Sequence, residues 1–254
     1  KSIKIKVNKK KPVFFLSTNL FNLGLSVDDL DTISNYLLSE FCKFKNSTIV
    51  VPTATLNILE SSETFDKLKS KSSRMGFFSE FIRTKKNSVR SDHPLWSFSA
   101  IGYYSKHITE KVPKTCYGRN SVFDRLLNYN TYYICLGDVK STLAPIHYAE
   151  QMAGVPYRFF KEFKIKIKIN KKIKFDSYYF YAMINSLKIT RGNNNKIVQM
   201  LIKNNVIKKF KNKNFNIYLS DYDRLIKNLI LILDNNPKIY LNDQKVSFNK
   251  NLNF

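Results

Sequence analysis

Three histidines are the only imidazoles in this 254-residue chain, so each can be weighed on its own surroundings. His147 has Glu150 three residues along, the spacing that sets a carboxylate beside an imidazole on one helix face and lets it fix or polarise the ring. An imidazole titrates near neutrality and so suits general-base chemistry. From spacing alone two readings stand for His147: a general base, or a core histidine satisfied by its neighbour. His93 lies in Arg90-Ser91-Asp92-His93-Pro94-Leu95-Trp96-Ser97, a polar loop entering a strand, where Pro94 fixes the backbone. A side chain presented into a cleft and a structural histidine are both open there. His107, after Ser105-Lys106, reads as surface. Nucleophile-elbow, P-loop and G-x-G-x-x-G signatures are absent. Cys42, Cys116 and Cys135 are odd in number and lack metal-ligand spacing, which predicts no metal and fits a reducing cytoplasm.

The elements that must position these groups follow from pattern. Val13 to Thr18 reads as a buried strand ending in hydroxyl residues, and Thr48 to Thr53 as a second, stopped by Pro52. Between them Ser26 is an N-cap with Asp29 three residues on, and Leu30, Ile33, Leu37 and Phe41 make one apolar helix face. A helix is expected from about Gly76 to Arg83, a strand from Trp96 to Gly102, and a helix from Val122 to Leu127 capped by Ser121, with Asp124 in the capping-box position. Thr131 to Gly137 is another apolar strand. The helix carrying His147 is expected over about Thr142 to Ala153, closed by Gly154, so His147 follows the carboxyl end of a strand, where α/β sheets place ligands. From Phe163 to Ile169 the chain alternates lysine and apolar residues, and with a turn at Asn170-Lys171 and a strand from Ile173 to Tyr181 it forms a hairpin with one wet face. Helices near Lys196 to Val206 and Asp221 to Leu233, and edge strands near Phe215 to Leu219 and Lys238 to Phe248, complete a single compact α/β domain over 1–254 with a mixed sheet flanked by helices and an antiparallel C-terminal hairpin region.

Composition narrows the partners. With 43% hydrophobic and 14% aromatic residues the chain can bury a real core, which excludes disorder. No apolar run approaches the roughly 18 to 20 residues of a membrane span, and Lys1 to Lys6 alternates charge with apolar residues unlike a signal peptide. The net charge of +24 invites a nucleic-acid reading. It is carried overwhelmingly by lysine, is spread along the chain and travels with Asn and Ile, the mark of an AT-rich coding sequence. Solvated surface charge, with a field that steers phosphorylated ligands, is the expectation; nucleic acid and membrane are not expected partners.

Four linked motifs then resemble one family. Ser73-Arg74-Met75-Gly76, Arg90-Ser91-Asp92-His93-Pro94 with Ser97 and Ala100-Ile101-Gly102, Tyr117-Gly118 with Ser121 and Leu126-Leu127, and Ile146-His147-Tyr148-Ala149-Glu150 with Ala153 to Tyr157 occur in the order and spacing of the aminoglycoside 3-N-acetyltransferases. The match runs from about Pro12 to Tyr157. The resemblance implies acetyl-CoA as donor, an amino sugar as acceptor and no metal. It implies that His147 is the general base, with Glu150 orienting it, and that Ser17, Thr18, Ser73, Arg74, Tyr117, Gly118, Arg119 and Ser121 lie on the CoA side. Arg74 and Arg119 would pair with phosphates, or Arg74 would anchor a loop. Ser17, Thr18 and Thr53 are the expected oxyanion donors, and His93, Asp176 and Tyr179 the expected acceptor contacts.

Departures from the family pattern shape the acceptor. Leu16 stands where family members carry a histidine before the paired hydroxyls, which is expected to alter the pocket wall. The hairpin stretch Phe175 to Tyr181 is aromatic, with Asp176 its only acid, where drug-modifying members place carboxylates. A polycationic antibiotic is repelled by a +24 surface. The expectation is a cytoplasmic N-acetyltransferase, monomer or homodimer, acting on an amino sugar of glycan biosynthesis or a nucleotide-linked one. A true aminoglycoside 3-N-acetyltransferase conferring resistance and a catalytically degenerate CoA-binding protein are the alternatives.

Overall fold

The computed structural model describes residues 10–20, 26–169, 171–184, 194–211 and 215–242. Strand β1 (Val13–Thr18) is buried along its length and apolar up to Leu16, because both faces are covered. Val13 and Phe15 enter one hydrophobic cluster, Phe14 and Leu16 a second on the other side of the sheet. That is the arrangement parallel strands require. β1 pairs in parallel with β2 (Thr48–Pro52) on one side and with β5 (Thr131–Leu136) on the other. β3 (Val89–Arg90) and β4 (Phe98–Gly102) extend the β2 side antiparallel, and β8 (Lys208–Lys211) and β9 (Asn216–Asp221) extend the β5 side, giving the order β3-β4-β2-β1-β5-β9-β8. β6 (Arg158–Ile169) and β7 (Lys172–Met183) pair only with each other, as the expected hairpin. The mixed α/β class and the C-terminal hairpin agree with the sequence reading.

Helix α1 (Val27–Cys42) starts where Ser26 Oγ accepts the Asp29 N–H and the Asp29 carboxylate returns to the Ser26 N–H, a full capping box. It covers one sheet face together with α2 (Phe77–Thr84). α3 (Ser105–Thr109) and α4 (Val122–Arg125) follow, the latter capped by Ser121 as expected and shorter than expected because the chain tightens into a 3-10 turn at Leu126–Asn128. The single helix expected over Thr142 to Ala153 is two: α5 (Val139–Thr142) and α6 (Ile146–Met152). Pro145 separates them, since it has no N–H to give and its ring clashes with the preceding turn. Gly154 closes α6 at φ +61°, as expected. α7 (Asn195–Lys203) and α8 (Tyr222–Asn235) complete the other layer.

Two further expectations change. β3 was hidden inside a polar loop, a two-residue edge too short to show a period. Lys238 to Tyr240 is a turn, not the start of a strand, and residues 243–248 of that expected strand, like Lys1 to Lys6 and Asn170, lie outside the described residues. Among the described residues no helix is long and apolar enough to cross a membrane.

Candidate active site

The carboxyl ends of β1, β2 and β5 open into a cleft of about 680 Å³, at the point where the chain switches from one side of β1 to the other. Ser17, Thr18 and Asn19 form its floor, Pro52 and Trp96 one wall, and Lys140 to Ala144 with Ile146 and His147 the other. Two glycines set its width. A Cβ on Gly76 would stand 2.9 Å from the Thr18 carbonyl oxygen, and one on Gly137 2.9 Å from that of Asn19; both have positive φ. Only glycine lets these loops approach the end of β1 so closely. Arg74, itself at φ +58°, and Lys140 bring exposed cations to the mouth. Ser17 Oγ, Thr18 Oγ1, Trp96 Nε1 and Asn194 Oδ1, all on residues lining the cleft, are buried without a hydrogen-bond partner among the described residues. Buried orphans of this kind are costly and cluster where a ligand supplies the missing partner.

His147 sits in the first turn of α6. Its Nδ1 is 3.1 Å from Glu150 Oε2, the contact anticipated from their spacing. Glu150 is fully buried, and burial alone would raise its pKa; hydrogen bonding to His147, the Arg158 charge and the Tyr157 hydroxyl hold it below the ordinary value. Arg158 Nη2 is 2.8 Å from Glu150 Oε2 and 3.3 Å from His147 Nδ1, while Tyr157 donates its hydroxyl to Glu150 Oε1 at 2.9 Å. The Trp96 ring meets the imidazole edge-on with centroids 5.1 Å apart, and Tyr117 stacks on it at 5.2 Å.

Of the residues expected on the CoA side, Ser17, Thr18 and Arg74 line the cleft and Tyr117 reaches it through His147. Ser73 stays behind Arg74, its N–H given to the Ala54 carbonyl. Gly118 packs against Gln151, Ser121 is spent capping α4, and Arg119 is exposed; none of the three lines the cleft. The acceptor candidates His93, Asp176 and Tyr179 are brought together, but around Lys114 rather than at the cleft. His93 Nε2 is 3.0 Å from the Lys114 carbonyl oxygen and its Nδ1 accepts the Trp96 N–H at 3.2 Å; Tyr179 gives its N–H to the Lys114 carbonyl; Asp176 is ion-paired with Lys114 and, at 3.4 Å, with Lys174. These residues seat the hairpin. Their positions give no support to the acceptor contact expected of them.

Thr53 is likewise committed. Its N–H goes to the Ser97 carbonyl, its own carbonyl takes Ser97 Oγ and Arg90 Nη2, and its hydroxyl meets Ser99, so it has nothing to offer an oxyanion. Leu16 points into the cluster beneath the sheet with Phe14, away from the cleft, so its departure from the family pattern does not alter the pocket wall. Arg158, Trp96, Lys140 and Asn194 were missed. Arg158 opens an alternating, lysine-rich strand, where a charge reads as solvated. The usable signal was its type: eight arginines stand among 43 basic residues. Arg83, Arg90, Arg125 and Arg158 all spread their forks over buried or backbone oxygens.

Among the described residues no group of three or more His, Cys, Asp or Glu is placed to hold a metal. The chain resembles several solved structures in fold. AAC-IIIb, in a binary complex with CoASH, superposes with a TM-score of 0.76 at 17% identity, covering 89% of this chain and 91% of that one. AAC-VIa bound to sisomicin gives 0.74 at 17%, over 89% and 92%. The YokD protein of Bacillus subtilis gives 0.73 at 20%, over 89% and 94%. No curated protein sequence matches this chain. The family model for aminoglycoside 3-N-acetyltransferase matches residues 38–233, so by sequence pattern and by fold this chain belongs to the aminoglycoside 3-N-acetyltransferase family, a family of acetyl-CoA-dependent N-acetyltransferases.

Proposed function

We propose that His147 is the general base of a direct acetyl transfer from acetyl-CoA to the amine of an amino sugar, within a ternary complex. The observation that carries this reading is the His147–Glu150–Arg158 cluster at the wall of a cleft whose mouth is cationic and whose floor holds unpaired hydroxyls. Arg74 and Lys140 suit the phosphates of CoA. Ser17 and Thr18, at the end of β1, suit the thioester carbonyl as it gains negative charge. His147 takes the proton from the attacking nitrogen as the C–N bond forms, since an amine that keeps its proton has no lone pair for the thioester carbon. The tetrahedral intermediate then breaks its C–S bond, and the imidazolium returns the proton to the departing CoA thiolate. Glu150 holds the ring and balances the imidazolium that forms. A base placed in this way contributes about 10²- to 10⁴-fold.

The charge balance of the cluster shapes the acceptor. Glu150 is neutralised by Arg158, and Asp176 is held away from the cleft by Lys114 and Lys174. With Trp96 and Tyr117 packed on His147 and Phe180 packed against both of those rings, this region offers aromatic faces and little free negative charge. That favours a singly amino-substituted or anionic sugar, of the glycan-building or nucleotide-linked kind. Family membership and the sisomicin-bound relative favour the other reading, an aminoglycoside drug.

Thiol release from acetyl-CoA with a panel of amino sugars and aminoglycosides tests both readings. Turnover with amino sugars alone supports the first, and turnover with aminoglycosides together with resistance in a sensitive host supports the second. Stabilisation by CoA with no transfer to any amine makes the chain a binding protein. Near wild-type turnover in a His147→Ala variant overturns the mechanism.

A further inference from the structure

Over its turn half the β6–β7 ribbon buries one face and leaves the other bare. Ile165 and Ile167 point inward and are 5% and 2% exposed. A strand alternates its side chains, so Lys164, Lys166 and Lys168 stand in a row on the outer face. Directly opposed residues share a face. The register Lys168↔Ile173 and Lys166↔Phe175 therefore sets Ile173 and Phe175 beside that row. Phe175 is 71% exposed and Ile173 56%. Ile169 shares the inner face by alternation, yet it lies past the bridge from Ile167 to Phe65 and is 46% exposed. Large apolar side chains thus reach solvent from both faces at the turn end.

Charge and chemistry say what covers them. Both edges of the ribbon are partly engaged: Phe65 gives its N–H to the Lys166 carbonyl and takes that of Lys168, while Tyr179 is bonded in the same way to Lys114 and Cys116. A partner therefore meets the outer face and the turn end, where it finds no long free edge to extend. From Arg158 to Met183 eight basic residues stand against two acidic ones, and one of the two, Asp176, is already ion-paired. Like charge opposes a second copy of the same face. Single-strand nucleic-acid binders set aromatic rings along their basic grooves, whereas aliphatic Ile169 and Ile173 have no ring to stack on a base. Exposed apolar side chains at the end of a cationic ribbon match an anionic bilayer. They enter the boundary between headgroups and acyl chains, and the lysine ammoniums stay with the headgroups.

We propose that the turn end of the β6–β7 ribbon is a docking surface for anionic membrane, with Ile169, Ile173 and Phe175 inserted and Lys166, Lys171 and Lys172 on the headgroups. The chain then lies on the bilayer without spanning it. A membrane partner was not expected from the sequence because no apolar run is long enough to span; lying on the surface needs only a few exposed apolar and basic side chains. The proposal stands apart from the acetyl-transfer reading, since binding is measured with no substrate present.

The experiment sediments the whole chain with vesicles of phosphatidylcholine alone and with vesicles of equal parts phosphatidylcholine and phosphatidylserine. Binding is expected to the mixed vesicles only, and to weaken as salt rises. Phe175→Ser keeps the net charge and is expected to weaken binding about tenfold or more. Lys166→Gln/Lys172→Gln is expected to weaken it about twentyfold. Lys208→Gln/Lys211→Gln removes the same charge from β8, at the far end of the seven-stranded sheet, and is expected to weaken it less than about threefold. Phe175, Lys172, Lys208 and Lys211 are exposed, so these variants should melt near wild type. No binding to the mixed vesicles, equal losses from the two lysine pairs, or an unaffected Phe175→Ser overturns the proposal. Tighter binding to a single-stranded oligonucleotide than to the mixed vesicles, lost in Phe175→Ser, also overturns it and assigns the face to nucleic acid. A dimer in sedimentation velocity that Phe175→Ser abolishes overturns it in favour of a second copy of this chain.

Discussion

The loop from Arg90 to Trp96 and the unit from His147 to Arg158 each bury one arginine and hold one histidine, and they use them in opposite ways. Arg90 spreads its fork over neutral oxygens only: Ser97 Oγ at 3.0 Å, the Thr53 carbonyl and Thr55 Oγ1 at 2.7 Å, and the Ser70 carbonyl at 2.5 Å. Burial, with a smaller contribution from Arg83, pushes its pKa down to about 10. Burial also acts on Arg158, but the Glu150 charge more than offsets it and raises the pKa. His93 is 3% exposed with both nitrogens on backbone partners, and burial pushes its pKa down to about 4 against the opposing Lys114 hydrogen bond. The His147 side chain is 24% exposed at the cleft wall, tied to a carboxylate. Identical side chains therefore staple one loop and equip the other region for chemistry. The nature of the partner decides which.

The comparison breaks first on activity. His147→Ala is expected to lower kcat by about 10²- to 10⁴-fold while thermal melting stays near wild type, and His93→Ala to lower the melting temperature with far less effect on kcat per folded molecule. A folded His93→Ala protein without turnover would erase the distinction. Acid is the next largest effect. His93 prefers its neutral form when folded, so the unfolded chain binds more protons below about pH 6.5. Its contribution is intact above that pH and is lost as pH falls to about 4, costing about 3 kcal/mol. Urea unfolding of wild type and His93→Gln across this window should show the loss only in wild type. Below it, Glu80, held at about 2 by Arg83 and Ser72 against the opposing effect of burial, adds a further fall. Arg90→Lys keeps a cation and discards the fork, and is expected to cost about 2 kcal/mol in the same measurement without moving KM. The smallest effect gives the scale of a purely local change: Ser26→Ala removes the cap of α1, far from both regions, for about 1 kcal/mol.

What could be read from the sequence follows the same division. β1, β2, β5 and the hairpin were legible because burial on two faces or on one leaves a run or an alternation in the residue types. The His147–Glu150 contact was legible because helical spacing brings the pair together. Pro145 separates α5 from α6, yet the helical pattern continues across it in the sequence, so the two look like one helix. Arg158 could not be placed beside Glu150 from the sequence, because the contact depends on how a strand re-enters after the Gly154 turn. The three residues expected as acceptor contacts share a setting. His93, Asp176 and Tyr179 are polar residues in a hairpin seat, and polarity in one dimension does not distinguish a ligand contact from the satisfaction of a neighbour's backbone.

The position of β1 at the middle of the sheet also sets an order of events during synthesis. Val13 meets Thr48 after one helix, but its other neighbour, Thr131, emerges only when more than half of the described chain has been made, and β9 later still. Pairings this distant close slowly. Until β5 arrives, one edge of a strand apolar from Val13 to Leu16 is bare, and the cleft floor at Ser17 and Thr18 has no opposite wall. A nascent chain stalled before residue 131 would therefore present its stickiest edge and no site, and chaperone capture should fall away once synthesis has passed β9.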